Sequence, residues 1–192
     1  MLRRLYDWTL ALAETRYALW ALAAVSFAES SFFPIPPDIL LIPLILARPS
    51  RAFALAGVCL AASVAGALLG YFIGAELFDA IGRPMLEFYG KTSYFDAFSE
   101  QYNTYGAWVV LMAGVTPFPY KVITILSGAT ALNLPVFIIA SIIARGLRFF
   151  IVAALLWKFG APIREFIERR LGLMFALFVV LLLGSFLLVR YL

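Results

Sequence analysis

The chain has 192 residues, no histidine and a single cysteine, Cys59. Without imidazole there are no His-based catalytic triads, no histidine metal sites and no histidine proton shuttle. One cysteine in an apolar run excludes a disulfide framework. Gly-x-Ser-x-Gly and Walker-type phosphate loops are missing as well, so neither a nucleophile elbow nor a phosphate-cradling loop is present. No nucleophile, base and orienting group can be assembled from what remains. The expectation is a protein that is not an enzyme, with no cofactor, no metal and no nucleic-acid partner. Charge is scarce too: 14% of residues are charged and 64% are hydrophobic, against about 25% and 45–50% in soluble domains. This is the composition of an integral membrane protein, and the length suggests one membrane domain over residues 1–192.

One stretch breaks the apolar pattern. Residues 29–38 read Glu-Ser-Ser-Phe-Phe-Pro-Ile-Pro-Pro-Asp. A carboxylate at membrane depth costs at least ~2.5 kcal/mol, and prolines remove backbone donors that a lipid-facing helix cannot spare. Such a backbone survives in a membrane only when packed inside protein or lining a wet cavity, so Glu29, Pro34, Pro36 and Asp38 are candidate functional residues.

Residues 1–16 carry Leu5, Trp8 and Leu12 on one helical side and Arg3, Asp7 and Glu14 on the other, the pattern of an interfacial amphipathic helix. Glu14 and Arg16 interrupt the run, which argues against a cleaved signal peptide. Residues 17–47 form two apolar limbs around the proline break. The second limb, 39–47, is only about 14 Å long as a helix against a hydrocarbon core of roughly 30 Å. The segment is therefore expected to be a re-entrant hairpin. Residues 52–81 are long enough to span, and Ala62, Gly66, Gly70 and Gly74 recur every four residues as a flat stripe for close helix approach. Residues 82–105 mix charges with aromatics and read as a surface connector.

The first pattern then returns. Residues 106–134 are two limbs around Thr116-Pro117-Phe118-Pro119-Tyr120-Lys121, and residues 135–157 are a second spanning segment. Pro34-Ile35-Pro36 and Pro117-Phe118-Pro119 lie 83 residues apart, as do Asp38 and Lys121. A surface helix over 158–171 and a final span over 172–190 complete the chain. If each hairpin returns to its own side, nine cations (Arg3, Arg4, Arg16, Arg48, Arg51, Lys158, Arg164, Arg169 and Arg170) share one face, and only Arg83, Lys91 and Arg190 take the other. The positive-inside rule makes the richer face cytoplasmic. The expected fold is all-α: two inverted repeats of re-entrant hairpin plus transmembrane helix, with interfacial helices and a C-terminal transmembrane helix. Broken segments at matching places in two halves point to a midplane transport site.

Five ionisable residues fall at membrane depth: Glu29, Asp38, Lys121, Arg145 and Arg148. Ser141, Arg145 and Arg148 share a helical face by their spacing. A cluster of Arg145, Arg148 and Lys121 suits an anionic headgroup, because guanidinium groups bind phosphate bidentately. Glu29 and Asp38 would offset that charge and could take up a proton. The same residues are also compatible with ion pairs that merely lock the hairpins.

An acid followed by Phe-Pro-Ile-Pro-Pro-Asp, a glycine-striped helix ending Gly70-Tyr71-Phe72-Ile73-Gly74, a hairpin closing with Ser127-Gly128, and Ala144-Arg145-Gly146-Leu147-Arg148-Phe149 together resemble the DedA (SNARE-associated, VTT-domain) membrane proteins, in particular their YqaA-like branch. The resemblance covers roughly residues 17–160. It implies hairpins facing each other across a bacterial inner membrane; the cation count puts the N-terminus on the cytoplasmic side. It also implies movement of phospholipid or polyprenyl phosphate between leaflets, often tied to the proton gradient; assembly as a homo-oligomer is a separate open expectation. The chain departs from the family pattern around Pro117, where Gly114 and Tyr120 stand in place of two arginines, and at Ser141, which replaces an asparagine. Two other classes stay open: a proton- or cation-coupled carrier of a small solute, and a non-transporting membrane assembly protein.

Overall fold

The computed structural model describes residues 17–33, 36–116, 118–160 and 162. The interfacial helix expected over 1–16, nearly all of the surface helix over 158–171, the span over 172–190, and both Pro34 and Pro117 lie outside the described residues. Among the described residues the structure consists of helices joined by short turns and breaks, without a strand.

Helix α1 (Ala18–Ser31) is followed by the proline break and α2 (Asp38–Ala47). At 14 and 10 residues they are about 21 Å and 15 Å long, each shorter than a hydrocarbon core of roughly 30 Å. Pro37 stands at the N-cap of α2 and Asp38 in its first turn, where a proline forfeits nothing and a carboxylate faces the positive end of the helix dipole. A 3-10 turn, Pro49–Arg51, leads into α3 (Ala52–Leu77), whose path continues through a π turn at Phe78–Gly82 into α4 (Arg83–Phe88). The helical path thus runs 40 residues from Pro49 to Phe88, past the boundary at 81 that hydropathy suggested. Gly90 turns the chain at φ 62°, a conformation that costs glycine little. Helix α5 (Thr92–Val115) then runs without interruption through the position taken from sequence as the end of a connector at 105. The second break, at Thr116–Pro119, leads into α6 (Tyr120–Ala129), and α7 (Leu134–Gly160) follows.

The glycine stripe of α3 seats two different helices. A Cβ at Gly66 would collide with the Phe27 backbone of α1. At Gly70 it would strike the Thr124 side chain, and at Gly74 the Ile125 carbonyl, both on α6. Gly128 of α6 returns the arrangement, lying against the Tyr71 carbonyl of α3. Close backbone approach is the membrane substitute for large interdigitated side chains, since lipid provides no hydrophobic drive between helices.

Helices α3 and α7 run antiparallel. Phe53 stacks on Phe150 at 6.4 Å and meets Trp157 at 6.0 Å near one end, whereas Tyr71 meets Phe137 at 5.2 Å near the other. Two apolar cores are stacked along this pair. One contains Ala52, Ala56 and Cys59 of α3 with Phe149, Ala153 and Leu156 of α7. The other contains Ala67 and Tyr71 with Phe137 and Ala140. Between them, on both helices, lies a polar layer: Ser63 on α3, and Ser141 and Arg145 on α7, all buried.

Candidate functional site

Ser63 is 12 residues beyond Arg51, about 18 Å along the helix, so the polar layer sits near the middle of a roughly 30 Å core. Four of the five ionisable residues picked out from the sequence meet there. Arg145 donates from Nη2 to Glu29 Oε2 at 2.5 Å and from Nε to Ser63 Oγ at 2.7 Å. Ser63 and Ser30 hydroxyls are 2.7 Å apart, and Ser30 donates to Glu29 Oε2 at 3.2 Å. A carboxylate only accepts, so the Ser30 proton goes to Glu29 and the Ser63 proton goes to Ser30. The result is a closed ring, Arg145 to Ser63 to Ser30 to Glu29 and back to Arg145. The rings of Tyr120 and Phe149 lie 5.0 Å and 4.7 Å from the guanidinium carbon, each adding cation–π attraction in a dry setting. The Arg145 side chain is 2% exposed and that of Glu29 12%.

The second pair is more open. Arg148 Nη2 donates to Asp38 Oδ2 at 2.6 Å, with side-chain exposures of 19% and 18%. Arg148 Nη1 also donates to the Thr116 carbonyl at 2.9 Å. One guanidinium therefore holds the residue just after the first proline break and the backbone at the start of the second. The two broken pairs also touch, because the Thr124 hydroxyl of α6 lies 3.0 Å from the Ser30 carbonyl of α1 and 2.9 Å from the Lys121 carbonyl, with one proton for the two acceptors. Spacing on α7 explains the division of labour: residues 145 and 148 are one turn apart on one face, so each reaches a different part of the first broken pair.

Lys121 is not brought into either ion pair. It is half-buried in the first turn of α6, and its carbonyl lies 2.9 Å from the Thr124 hydroxyl, but its ammonium pairs with no acid among the described residues. Its register match with Asp38, 83 residues away, does not place the two in contact. Of the supporting residues, Ser141 is buried and accepts a hydrogen bond from the Tyr120 hydroxyl at 2.6 Å. Gly66, Gly70 and Gly74 set helix spacing, while Pro36 lies at the first break and Pro119 at the N-cap of α6.

Two participants escaped the sequence reading, Ser63 and Tyr120, while Ser30 lay within the 29–38 stretch without being given a part. Ser63 carried a usable signal, being the one serine of α3 and, at spacings of three and seven, on the same face as Gly66 and Gly70. Tyr120 carried none, since only the packing of α6 against α7 shows its ring lying over Arg145.

The VTT domain model matches residues 35–158. A protein of Haemophilus influenzae, named only as uncharacterized, is 36% identical over 168 residues, covering 85% of this chain and 87% of that protein. A protein of Histophilus somni, likewise named uncharacterized, is 37% identical over 168 residues with the same coverage of each. No solved structure matches the chain. The matched residues take in Asp38, Ser63, Tyr120, Arg145 and Arg148, and the apolar helices are those of a membrane protein; the chain belongs to the VTT-domain (DedA) family.

Proposed function

We propose that the chain carries the phosphate-bearing headgroup of an anionic lipid, a phospholipid or polyprenyl phosphate, between the leaflets of a bacterial inner membrane. The observation that carries this reading is Arg148. It is the more accessible guanidinium, and it ties Asp38 at one break to the Thr116 carbonyl at the other. A phosphate cannot enter hydrocarbon without losing its hydration, a loss that only fixed donors can replace. In this reading an arriving headgroup displaces Asp38 from Arg148, loosening the tie between the two breaks, and the unpaired Lys121 supplies a second positive charge. The released Asp38 carboxylate can take a proton, which couples the cycle to the proton gradient.

The two broken pairs, α1–α2 and α5–α6, then act as re-entrant hairpins of opposite orientation, each preceding one of the antiparallel helices α3 and α7. The face richer in cations is cytoplasmic. Glu29 and Arg145 have a different part in the cycle. Arg145 is buried and bonded through two of its three nitrogens, so this pair is a fixed clamp beside the path.

The test is lipid scrambling in vesicles containing the protein and fluorescent phosphatidylglycerol, read by dithionite bleaching of the outer leaflet. Losing a hydrogen bond to a charged group costs about 1.5–3 kcal/mol, so Arg148→Gln is expected to slow scrambling roughly tenfold or more while the fold persists. Asp38→Asn and Lys121→Gln slow it less. Parent-like rates in all three variants would remove the reading. Flux of a small solute that depends on Asp38, in vesicles where lipid does not move, would replace it with a solute carrier.

A further inference from the structure

The charged layer holds more positive than negative charge, and its charges can be counted completely. Glu29 and Asp38 are the only acids between Glu14 and Glu76, and no acid occurs between Glu100 and Glu165. Helices α1 and α2 bring these two acids, while α6 and α7 bring Lys121, Arg145 and Arg148. Helix α3 carries no charge from Ala52 to Ala75, and α5 none from Gln101 to Val115. The other titratable groups packed there, the Cys59 thiol and the Tyr120 hydroxyl, are of kinds that are neutral near pH 7.

Lys121 belongs to this layer by position. Its carbonyl lies 2.9 Å from the Thr124 hydroxyl, itself 3.0 Å from the carbonyl of Ser30 beside Glu29, and the ring of the adjacent Tyr120 is 5.0 Å from the Arg145 guanidinium. Cations elsewhere are engaged or exposed: Arg83 meets Asp79, Lys91 and Lys158 lie over the rings of Tyr94 and Phe159, and Arg48 and Arg51 face outward. The half-buried Lys121 ammonium has neither an acid nor a ring beside it among the described residues. Three cations against two acids leave one positive charge over. Uncompensated charge is costly where water is scarce, so the layer is matched by a ligand bearing one negative charge.

On the reading that this layer carries a lipid phosphate, we propose that Lys121 sets the headgroup charge it accepts: a singly charged phosphate diester balances the layer as it stands, whereas a doubly charged phosphate monoester is admitted only with one proton on Asp38. A monoester carries about −1.5 to −2 near pH 7, which would leave the layer negative. Asp38, released when the headgroup takes Arg148, removes that excess by binding a proton. The proton comes from the water on the side where the headgroup enters and is given up on the side where it leaves.

The experiment uses vesicles containing the full chain and either fluorescent phosphatidylglycerol, a diester, or fluorescent phosphatidic acid, a monoester, at about pH 7.5 and 8.5, where the monoester is largely doubly charged. Its readout is the ratio of the two scrambling rates. One unit charge about 10 Å from another is worth roughly tenfold at an effective dielectric constant near 20. Lys121→Gln should therefore shift the ratio about tenfold toward the diester, and Asp38→Asn about as far toward the monoester. The double variant restores the sum of charges and should return the ratio to the parent value, which a merely structural role for either residue would not do. In the parent the monoester should fall behind as pH rises, and Asp38→Asn should flatten that trend. A ratio unmoved by Lys121→Gln, or one that stays shifted in the double variant, overturns the assignment while lipid transport itself stands. If neither lipid moves in the parent, the transport reading falls and this inference falls with it.

Discussion

Replacing Glu29 by alanine strands a guanidinium in the dry middle of the protein. Arg145 has 1% of its surface accessible, and after the substitution it keeps only the Ser63 hydroxyl and the flanking rings of Tyr120 and Phe149. Ser30 also loses the acceptor for its proton. Removing one partner of a buried ion pair costs about 3–5 kcal/mol, whereas replacing both with apolar groups of similar volume is often neutral or stabilising. At roughly 2–4 °C per kcal/mol for a chain of this size, Glu29→Ala should lower the melting temperature in detergent by roughly 6–20 °C. The double variant Glu29→Leu with Arg145→Met should recover most of that loss. Thermal unfolding of the parent, Glu29→Leu, Arg145→Met and the double closes the cycle, and the coupling between sites measures the pair itself. If Glu29→Ala melts within about 2 °C of the parent, Arg145 has water or another anion beside it, and the buried clamp does not exist. Asp38→Ala serves as the internal contrast: its pair is 18–19% exposed, so the same deletion should cost visibly less stability.

Two further outcomes follow from the packing. Gly74→Ala and Gly128→Ala each drive a Cβ into a backbone carbonyl of the facing helix, which must push α3 and α6 apart; overpacking of this kind costs about 1–3 kcal/mol. Gly57→Ala meets nothing within 4 Å and should be neutral or slightly stabilising by helix propensity, so melting curves that fail to separate the three would contradict the crossing. Tyr120→Phe keeps the ring over Arg145 and removes only the hydroxyl donated to Ser141, for an expected loss of about 0.5–1.5 kcal/mol. Tyr120→Ala also leaves a cavity and should cost about 3–5 kcal/mol; equal losses in the two variants would mean that the ring contributes nothing.

Much of the architecture was legible in one dimension because the membrane reads composition directly. Long, predominantly apolar runs must be helical to satisfy their own backbone, so α3 and α7 were visible as spans. Prolines beside charges had to mark breaks, and glycines at a four-residue period had to mark close helix contact. The boundary at 81 was harder to place, because a helix leaving the membrane need not stop where its hydropathy falls: it continues to Phe88, and α5 begins at Thr92 and runs through the polar-to-apolar change without a break.

By itself, the sequence singled out Glu29, Asp38, Lys121, Arg145 and Arg148 as ionisable residues set within or beside apolar segments, since that follows from counting residues between charges. It also placed Arg145 and Arg148 on one face of a helix, because three-residue spacing does so in any helix. Pairing was another matter. Only the tertiary structure assigned Glu29 to Arg145 and Asp38 to Arg148, across 116 and 110 residues of chain, left Lys121 without an acid among the described residues, and closed the ring through Ser63 and Ser30. The physical reason is that a buried charge takes whichever partner the packing of glycine-faced helices brings within hydrogen-bond reach, and a matching register in a repeated sequence does not set that distance.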